Sequence, residues 1–547
     1  MNRHPDHLVY RWLHHLKIPV SSNYIKEKLL AHPDYPSLVS ITDTLDELNI
    51  ENGAFIVEKE KLREVPVPFL AHTGTRGGEF ELITDIEKYL KDNPDFEKQW
   101  DGITVVVEKP EQIDNAQHEL LLQQERRNRR VLWFFIFFIS GLSLFSVSNN
   151  FSWQYAGLLL TTIAGLSVAV LIVEHELGIS NEFTEQLCAA GKHTDCDAVM
   201  ASKGSKLPQW LNPIAIGWAD AGIIYFSSVF LLLVISGFTG IFESKAIILS
   251  LLATCSLPFT FFSVYYQWRV VKKWCPLCLA TVAVLWIQFG LLLPGFDRFS
   301  FQATSLNETL FTLFTFCTLS VTWLLLIKPA LQKNKELTDK NFSLLRFKNN
   351  PEVFTALLQK QRKVDTTPFE GACLPDRQDL QLGNPDADLQ IMVACNPYCG
   401  PCAKAHKNLH ELVETNDIGL TVRFLIKTEN EDDRRLLAVK YILQLAKDKP
   451  IGYKRKLLHD WYEDMDFEKF SKKYAIDNGG VVDRFLKQNE EWCDATGIKF
   501  TPTIFINGYE LPKQYRAEDL KIMFRNAEKP ERISKQNDID EHNLIPV

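Results

Sequence analysis

Long apolar runs occupy only the middle of the chain. Residues 131–329 are dense in Leu, Ile, Val and Phe, whereas both flanks are polar. A transmembrane helix needs about 20 apolar residues. Six stretches of about that length lie here, at residues 131–148, 154–173, 214–238, 245–266, 275–294 and 309–328. Buried helices of a soluble protein explain six such stretches poorly, so the pattern predicts a six-span helical membrane bundle over residues 131–330, with the first span as an accessory.

Shorter periodicities before the apolar region predict a small α+β domain over residues 1–120. Three segments have helical spacing, at residues 7–16, 24–30 and 38–48. Three strand-like runs follow, at residues 53–57, 67–71 and 103–107. Residues 108–130 are polar and charged, and we interpret them as a linker that enters the membrane.

The polar region after the bundle predicts an α/β domain over residues 366–530. Strand candidates lie at residues 389–394, 420–426 and 503–506, and helical spacing is found at 403–414. Residues 431–498 are charged and read as a helical insertion. Asn507-Gly508 is typical of a hairpin turn after the last strand. Residues 531–547 form a polar tail.

Composition narrows the class of protein. The chain has 547 residues, of which 46% are hydrophobic and 23% charged, and this balance excludes a fibrous or disordered protein. The mean hydropathy of −0.09 is too polar for a simple channel. A net charge of −8 gives no reason to expect nucleic acid as a partner.

The cysteines are more informative than the composition. There are 11, and none occurs before Cys188. Six of them form three close pairs, which are Cys188/Cys196, Cys275/Cys278 and Cys399/Cys402; Cys255, Cys317, Cys373, Cys395 and Cys493 are left over. Close pairs divided between a membrane region and a soluble region favour redox chemistry over structural disulfides.

Cys399-Gly-Pro-Cys402 follows a predicted strand and opens a predicted helix. A thiol at a helix N-terminus has a stabilised thiolate, and the second thiol lies one turn away and can resolve a mixed disulfide. Downstream, Thr501-Pro502 precedes a strand, and we expect Pro502 to be cis. In this order the features resemble the thioredoxin superfamily, and the long insertion resembles DsbA-type oxidoreductases. A zinc or structural site is the alternative.

Cys395 adds a second alternative to this motif. Together with Cys399 and Cys402 it has the spacing of the iron–sulfur ligands in radical enzymes that use S-adenosylmethionine. Too few residues follow the triplet for the barrel that those enzymes need. We expect Cys395 to be a buried thiol at the end of a strand, and a structural partnership with Cys493 stays open.

The other two pairs lie in the apolar region. Cys188 and Cys196 lie in a polar loop, Ser202 follows six residues later, and Cys275-Pro-Leu-Cys278 opens the fifth apolar stretch. This set resembles the vitamin K epoxide reductase family over residues 154–330. Two features depart from that family. Val282, four residues after the second cysteine of this motif, stands where the family often has an aromatic hydroxyl. No Asn is evident in the span after the Cys188/Cys196 loop, near which Trp218 and Asp220 lie.

With a thioredoxin-like domain following, the chain resembles bacterial fusions of this family. The resemblance implies an enzyme that re-oxidises its own thioredoxin-like domain and passes electrons to a quinone, ubiquinone or menaquinone. It further implies that Cys188 contacts the soluble partner, that Cys278 faces the quinone and that Ser202 hydrogen-bonds it. Substrates are then thiols of secreted proteins or peptides. A reductant exporter running in the opposite direction is the alternative.

The N-terminal domain resembles papain-like peptidases that trim double-glycine leader peptides. The resembling segments are His32-Pro-Asp-Tyr-Pro-Ser-Leu38 and Val67-Pro-Phe-Leu-Ala-His72. Such catalysis needs a Cys nucleophile and a His base. No Cys precedes residue 188, and Glu79 stands where the His is expected. We therefore expect a degenerate peptidase fold that binds leader peptides, as in a peptide-export accessory, or serves as a scaffold. His72 reads as a solvated residue at a strand end.

Six spans place all three cysteine pairs on one side of the membrane. Disulfides form and persist in oxidising compartments, and this favours the periplasmic side of a bacterial inner membrane. The positive-inside rule favours the opposite orientation. The basic residues on the cysteine side are Arg126, Arg127, Arg129, Arg130, Arg269, Lys272, Lys273 and Lys328. We give more weight to the redox argument, because quinone-coupled thiol oxidation would be futile in a reducing cytosol.

Overall fold

The protein is described here from a computed structural model. The described residues are 5–74, 78–110, 113, 115–149, 152–178, 184, 187–188, 194–206, 216–239, 242–293, 306–366, 380–415, 417–426, 430, 432–475, 492 and 494–525. The chain divides into two compact units. One unit consists of residues 1–30 and 35–343, and the other of residues 31–34 and 344–547.

The first unit begins with an α+β domain. Its helices and strands are α1 (Pro5–His15), α2 (Ser22–Ala31), α3 (Leu38–Glu47), β1 (Asn52–Ile56), β2 (Phe69–Thr73), β3 (Glu79–Ile83), α4 (Ile86–Asp92), α5 (Phe96–Gln99) and β4 (Trp100–Val107). The four strands form an antiparallel sheet in the order β1-β4-β2-β3. Trp12, Tyr24, Leu70 and Val105 are buried in the core between helices and sheet. The α+β class is as the periodicity predicts.

The charged segment before the membrane region is helical, contrary to the expected linker. Helix α6 (Ala116–Asn149) runs without interruption through the charged residues into the first apolar stretch. Glu, Gln, Arg and Leu are strong helix formers, and neither Gly nor Pro occurs from 116 to 140. The charged residues from 116 to 130 are therefore part of one continuous helix and do not interrupt it.

Each of the six predicted apolar stretches coincides with a helix in the described part of the chain. These helices are α6, α7 (Trp153–Glu176), α9 (Trp218–Thr239), α10 (Phe242–Tyr265), α11 (Pro276–Leu292) and α12 (Leu306–Val321), and a short helix α8 (Cys196–Met200) lies between α7 and α9. Two π-helical turns, Tyr266–Val271 and Thr322–Ile327, extend α10 and α12, and the second continues into α13 (Lys328–Lys348).

Five of these helical segments are long and apolar enough to cross a membrane. The sixth, α11, is apolar but has 17 residues. At 1.5 Å per residue it is about 25 Å long, slightly short of a bilayer core of about 30 Å. The structure thus supports a helical membrane bundle, and the count of six spans stays a prediction.

The second unit contains an α/β domain. Its elements are α14 (Pro351–Gln359), β5 (Leu380–Gln381), β6 (Gln390–Cys395), α15 (Gly400–Thr415), β7 (Gly419–Phe424), α16 (Arg434–Ala446), α17 (Ile451–Asp464), α18 (Phe467–Lys473), β8 (Thr503–Ile506), β9 (Tyr509–Glu510) and α19 (Leu520–Arg525). The sheet has the order β5-β7-β6-β8-β9, and only β6 and β7 are parallel. Asn507 and Gly508 both have positive φ in the β8–β9 turn, as the hairpin motif predicts.

Candidate functional site

The Cys399–Cys402 pair lies where the sequence predicts it, between β6 and α15. Cys399 directly precedes the first helical residue. The backbone N–H of Cys402 donates to Cys399 Sγ at 3.3 Å, and Cys399 Sγ donates to the carbonyl oxygen of Thr501 at 3.6 Å. The peptide bond between Thr501 and Pro502 is cis, as expected. The backbone before Pro502 therefore contacts the first sulfur of the pair.

The two sulfurs differ in access. Cys399 is partly exposed, whereas Cys402 is fully buried in the core of the domain. A side chain from α17 holds the loop before them, because the indole N–H of Trp461 donates to the carbonyl of Pro397 at 2.8 Å. An external thiol or disulfide can reach only Cys399 of this pair.

A third thiol lies beneath the pair. Cys395 ends β6 and is buried in the same core cluster as Cys402. Interaction with the thiols of Cys395 and Cys399, opposed by burial, lowers the pKa of Cys402 to about 6. Interaction with Cys402 and burial raise the pKa of Cys395 well above its usual value. Burial raises the pKa of Cys399, contrary to the stabilised thiolate expected from its position before a helix.

Sequence reasoning missed the histidine and the tyrosine that pack beside this site. His406 lies one helical turn after Cys402, and burial lowers its pKa to about 3. Its ring packs on Tyr462 with centroids 5.4 Å apart, and the Tyr462 hydroxyl donates to the carbonyl of Asn396 at 3.3 Å. The helical spacing of Cys402, His406 and His410 was the available signal.

The two cysteine pairs of the membrane region lie together. Cys188 and Cys196 form a disulfide. Both pack in one buried cluster with Cys275, against which Cys278 lies partly buried. The N–H of Cys278 donates to Cys275 Sγ at 3.3 Å, and the N–H of Cys275 donates to the Gln267 side-chain oxygen at 2.8 Å. The structure therefore brings two of the three predicted pairs into contact.

Backbone interactions hold the loop pair against the start of α11. Thr194 forms a parallel bridge with Trp274, and the N–H of Asp195 donates to the carbonyl of Trp274 at 3.0 Å. These bonds flank Cys196 on one side and Cys275 on the other. The contact between the pairs is thus fixed by main chain as well as by apolar packing.

Cys278 lies in the wall of a cavity of about 370 Å³. Ser202 lines the same cavity, and its hydroxyl donates to the carbonyl of Val199 at 2.6 Å. The remaining wall is largely aromatic and polar, with Trp218, Phe259, Phe262, Tyr266 and Gln267 among its residues. Val282 is not part of this wall, whereas Tyr266 supplies an aromatic hydroxyl from another helix.

Trp218 and Asp220 have different surroundings. Trp218 lines the cavity, whereas Asp220 is buried and does not. The Asp220 carboxylate accepts hydrogen bonds from the N–H of Gly217 at 2.8 Å, the indole of Trp323 at 2.9 Å and the ammonium of Lys328 at 2.5 Å. Asp220 therefore fixes helices to one another beside the cavity.

In the N-terminal domain, one histidine and one serine each form a hydrogen bond with a carboxylate. His72 Nδ1 is hydrogen-bonded to the Asp101 carboxylate, so it is a paired residue instead of a solvated one. The Ser21 hydroxyl donates to Glu125 at 2.8 Å, and His118 Nε2 accepts from the backbone N–H of Ser21 at 3.1 Å. No histidine nitrogen is therefore bonded to the Ser21 hydroxyl in the described residues.

Comparison with known families agrees with this geometry. Residues 156–293 match the Vitamin K epoxide reductase family, and residues 376–524 match a family described as Thioredoxin. The chain thus contains a vitamin K epoxide reductase domain and a C-terminal thioredoxin-like domain. Together they indicate a thiol–disulfide oxidoreductase. Neither match reaches residues 1–120, and no curated protein matches the chain.

Solved structures similar to this chain cover about a quarter to a third of it. Oxidised BdbD from Bacillus subtilis is 11% identical, with 27% of this chain and 92% of that chain covered and a TM-score of 0.22. A periplasmic thioredoxin-like protein from Salmonella enterica serovar Typhimurium is 13% identical, with 28% and 91% covered and a TM-score of 0.24. DsbA from Chlamydia trachomatis is 16% identical, with 30% and 100% covered and a TM-score of 0.23.

Proposed function

We propose that this protein is a membrane thiol oxidase that re-oxidises its own thioredoxin-like domain and delivers the electrons to a quinone. One observation carries the proposal. Cys275 packs against the Cys188–Cys196 disulfide, while Cys278 of the same pair lies in the wall of the 370 Å³ cavity. The Cys275–Cys278 pair can therefore exchange with a disulfide on one side and with a small molecule on the other.

The residues of the cavity suit a quinone headgroup. Ligand pockets typically have volumes of about 300–1,000 Å³ and walls of aromatic side chains with a few polar groups. Trp218, Phe259 and Phe262 provide flat apolar surfaces, and the Ser202 oxygen can accept a hydrogen bond from a hydroxyl of the quinol product. A bound quinone supplies an acceptor for two electrons and two protons. Whether it is ubiquinone or menaquinone follows from the organism's pool.

The soluble pair would start the sequence of exchanges. A substrate thiolate attacks Cys399 Sγ in the Cys399–Cys402 disulfide, because Cys399 is the exposed sulfur. The departing sulfur is Cys402, whose pKa of about 6 makes it a good leaving group at neutral pH. A second substrate thiol then displaces Cys399. The substrate is oxidised to a disulfide and the pair is reduced to two thiols. The two protons of the substrate thiols pass to the reduced pair.

The membrane pairs would restore the soluble pair. Cys399 attacks the Cys188–Cys196 disulfide through the fraction of it that is thiolate, because it is the accessible sulfur. Cys402 resolves the mixed disulfide, so that the soluble pair is oxidised and the loop pair reduced. The loop pair then reduces a Cys275–Cys278 disulfide in the same way. By resemblance Cys188 is the sulfur that is attacked. A reductant exporter that runs these exchanges in the opposite direction is the alternative, and the reduction potential of the Cys399–Cys402 pair distinguishes the two.

We place these reactions on the periplasmic side of a bacterial inner membrane, with thiols of secreted proteins or peptides as substrates. The N-terminal domain is proposed to bind leader-bearing peptides or to act as a scaffold. Binding close to Cys399 would raise the effective concentration of a peptide substrate. A peptide-export accessory that has no thiol oxidase activity is the competing hypothesis.

The test is quinone-dependent oxidation of a dithiol peptide by the purified full-length protein, with each cysteine replaced by alanine in turn. Loss of turnover is expected for every cysteine of the three pairs. Cys255→Ala and Cys317→Ala are the matched controls, because both thiols lie on exposed faces of membrane helices. Turnover that persists without Cys278, or without added quinone, would refute the proposal.

A further inference from the structure

One carboxylate in the wall of the 370 Å³ cavity has no role in the exchange reactions proposed above. Glu176, the last residue of α7, lines this cavity together with Cys278. Oxidation of the Cys275–Cys278 dithiol breaks two S–H bonds, forms one S–S bond and releases two electrons and two protons. A thiol reacts as its thiolate, so a proton that leaves the Cys278 sulfur needs an acceptor close to the cavity.

Glu176 is the only carboxylate among the described residues of the wall. Two other ionisable side chains besides the thiol, those of Lys206 and Tyr266, line the cavity as well. An ammonium group and a phenol ordinarily remain protonated at neutral pH, so they can donate hydrogen bonds but cannot take up a proton. A carboxylate can accept a proton and give it up again, as general acid–base catalysis requires.

A second carboxylate, that of Asp220, lies beside the cavity in different surroundings. Asp220 is 1% exposed and accepts three hydrogen bonds, from the N–H of Gly217, the indole of Trp323 and the ammonium of Lys328. The side chain of Glu176 is 36% exposed, and its Oε1 lies 3.8 Å from the same ammonium. Bonds to the charged form keep a carboxylate ionised, so Asp220 is held as an anion. Of the two, Glu176 is the one that can exchange protons.

We propose that Glu176 is the acid–base residue of quinone reduction. Its carboxylate takes up a proton that leaves the Cys278 sulfur and gives it to the oxygen that becomes a quinol hydroxyl. The carboxylate is regenerated by each transfer, so it can carry the two protons of one turnover in succession, while the two electrons come from the sulfurs. The inference rests on the proposed reduction of a quinone in this cavity and adds the residue that moves the protons.

The experiment measures binding and turnover separately, with the purified full-length protein and a short-chain ubiquinone as the probe. Binding is measured on the fully oxidised protein, which has no electrons to transfer, by quenching of the tryptophan fluorescence to which Trp218 of the wall contributes. Turnover is measured as oxidation of a dithiol peptide. Glu176→Gln keeps the size of the side chain, and Glu176→Ala leaves a space. Glu174→Gln is the matched control, because Glu174 lies on the same helix outside the wall.

Glu176→Gln should bind the ubiquinone within about threefold of the wild type and turn over about a hundredfold more slowly, since acid–base catalysis contributes about 10²–10⁴-fold. Glu176→Ala should be about as slow. Added formate should raise the rate of Glu176→Ala by about tenfold, because this small carboxylate can occupy the space and carry protons. Formate should not accelerate Glu176→Gln, in which the amide fills the space. Glu174→Gln should behave like the wild type.

Three results overturn the inference. The first is turnover of Glu176→Gln within about threefold of the wild type, and the second is no rescue of Glu176→Ala by formate. The third is a loss of ubiquinone binding as large as the loss of turnover, which indicates a role in the shape of the cavity. A wild type that oxidises no peptide with ubiquinone refutes the proposed function, whereas an active wild type with an equally active Glu176→Gln refutes this inference alone.

Discussion

The two Cys-x-x-Cys motifs have the same local geometry and opposite access. In each, the first cysteine precedes the first residue of a helix, and its Sγ accepts the N–H of the second cysteine at 3.3 Å. In the membrane motif the first sulfur, Cys275, is fully buried and the second, Cys278, reaches a cavity. In the soluble motif the first sulfur, Cys399, is reachable and the second, Cys402, is buried.

The difference shows which part of a redox site a motif encodes. Two residues between the cysteines and a helix start are enough to place the sulfurs one turn apart. The surrounding elements decide which sulfur meets a partner. In the membrane motif the Cys188–Cys196 disulfide packs against Cys275. In the soluble motif the core of the domain, including Cys395, covers Cys402. The same spacing therefore supports exchange in opposite orders.

The largest expected effect separates the two motifs. Cys278→Ala should lower quinone-dependent turnover by more than about a hundredfold, because the covalent route through the cavity is lost. The Cys399–Cys402 pair of this variant should still equilibrate with glutathione like the wild type. Parallel assays of oxidation and of glutathione equilibrium check both statements. A variant that loses both would mean that Cys278 acts on the whole fold.

Trapping tests the order of attack in the soluble motif. Cys402→Ala should accumulate a mixed disulfide through Cys399, because the exposed sulfur remains and no thiol resolves it. Cys399→Ala should accumulate at least about tenfold less, since Cys402 is buried. Non-reducing gels and mass spectrometry identify the adducts. Equal trapping by the two variants contradicts the assignment of Cys399 as the attacked sulfur.

Access can also be compared directly by alkylation of the reduced protein. A small maleimide should modify Cys399 faster than Cys402, and Cys278 faster than Cys275, each by about tenfold or more. The faster-reacting cysteine is thus the first of the pair in the soluble motif and the second of the pair in the membrane motif. Peptide mass spectrometry over a time course gives all four rates. Reaction of Cys275 before Cys278 would break the comparison.

The position of Cys275 depends on a side chain outside the motif. Gln267→Met removes the acceptor of the Cys275 N–H and should slow turnover by about fivefold to tenfold, the equivalent of about 1 kcal/mol. Gln267→Glu keeps an acceptor oxygen and should retain more activity. The soluble pair should be unaffected in both variants. Steady-state rates with a dithiol peptide provide the readout.

The smallest effect is expected in the thiol-free N-terminal domain. Ser21→Ala removes the hydroxyl that accepts the N–H of Tyr24 at 3.1 Å and binds Glu125, which should lower the stability of this domain by about 1 kcal/mol. Neither this variant nor the wild type should cleave double-glycine peptides. Thermal unfolding and peptide mass spectrometry measure the two outcomes. Cleavage by the wild type, with contaminating proteases excluded, would contradict the degenerate-peptidase hypothesis.

Local patterns predicted most elements of the fold. The apolar stretches, the strand at 503–506 and the helix after Cys399 follow from periodicity and helix-start signals in single segments. Strand β3 was missed although Phe80 and Leu82 alternate with glutamates, because a run of five residues is a weak signal beside a Gly. The charged part of α6 was mistaken for a linker, because polarity was given more weight than helix propensity.

The sequence by itself determined that this chain has two Cys-x-x-Cys motifs and a loop pair, divided between an apolar helical region and an α/β domain. The spacing of cysteines along the chain is a local property, so it can be recognised without knowledge of the fold. Only the tertiary structure decided that Cys275 meets the loop disulfide, that Gln267 binds its backbone and that Cys395 lies in the same buried core as Cys402. These contacts join segments that pack side by side, and burial between them decides which sulfur of each pair a partner can reach.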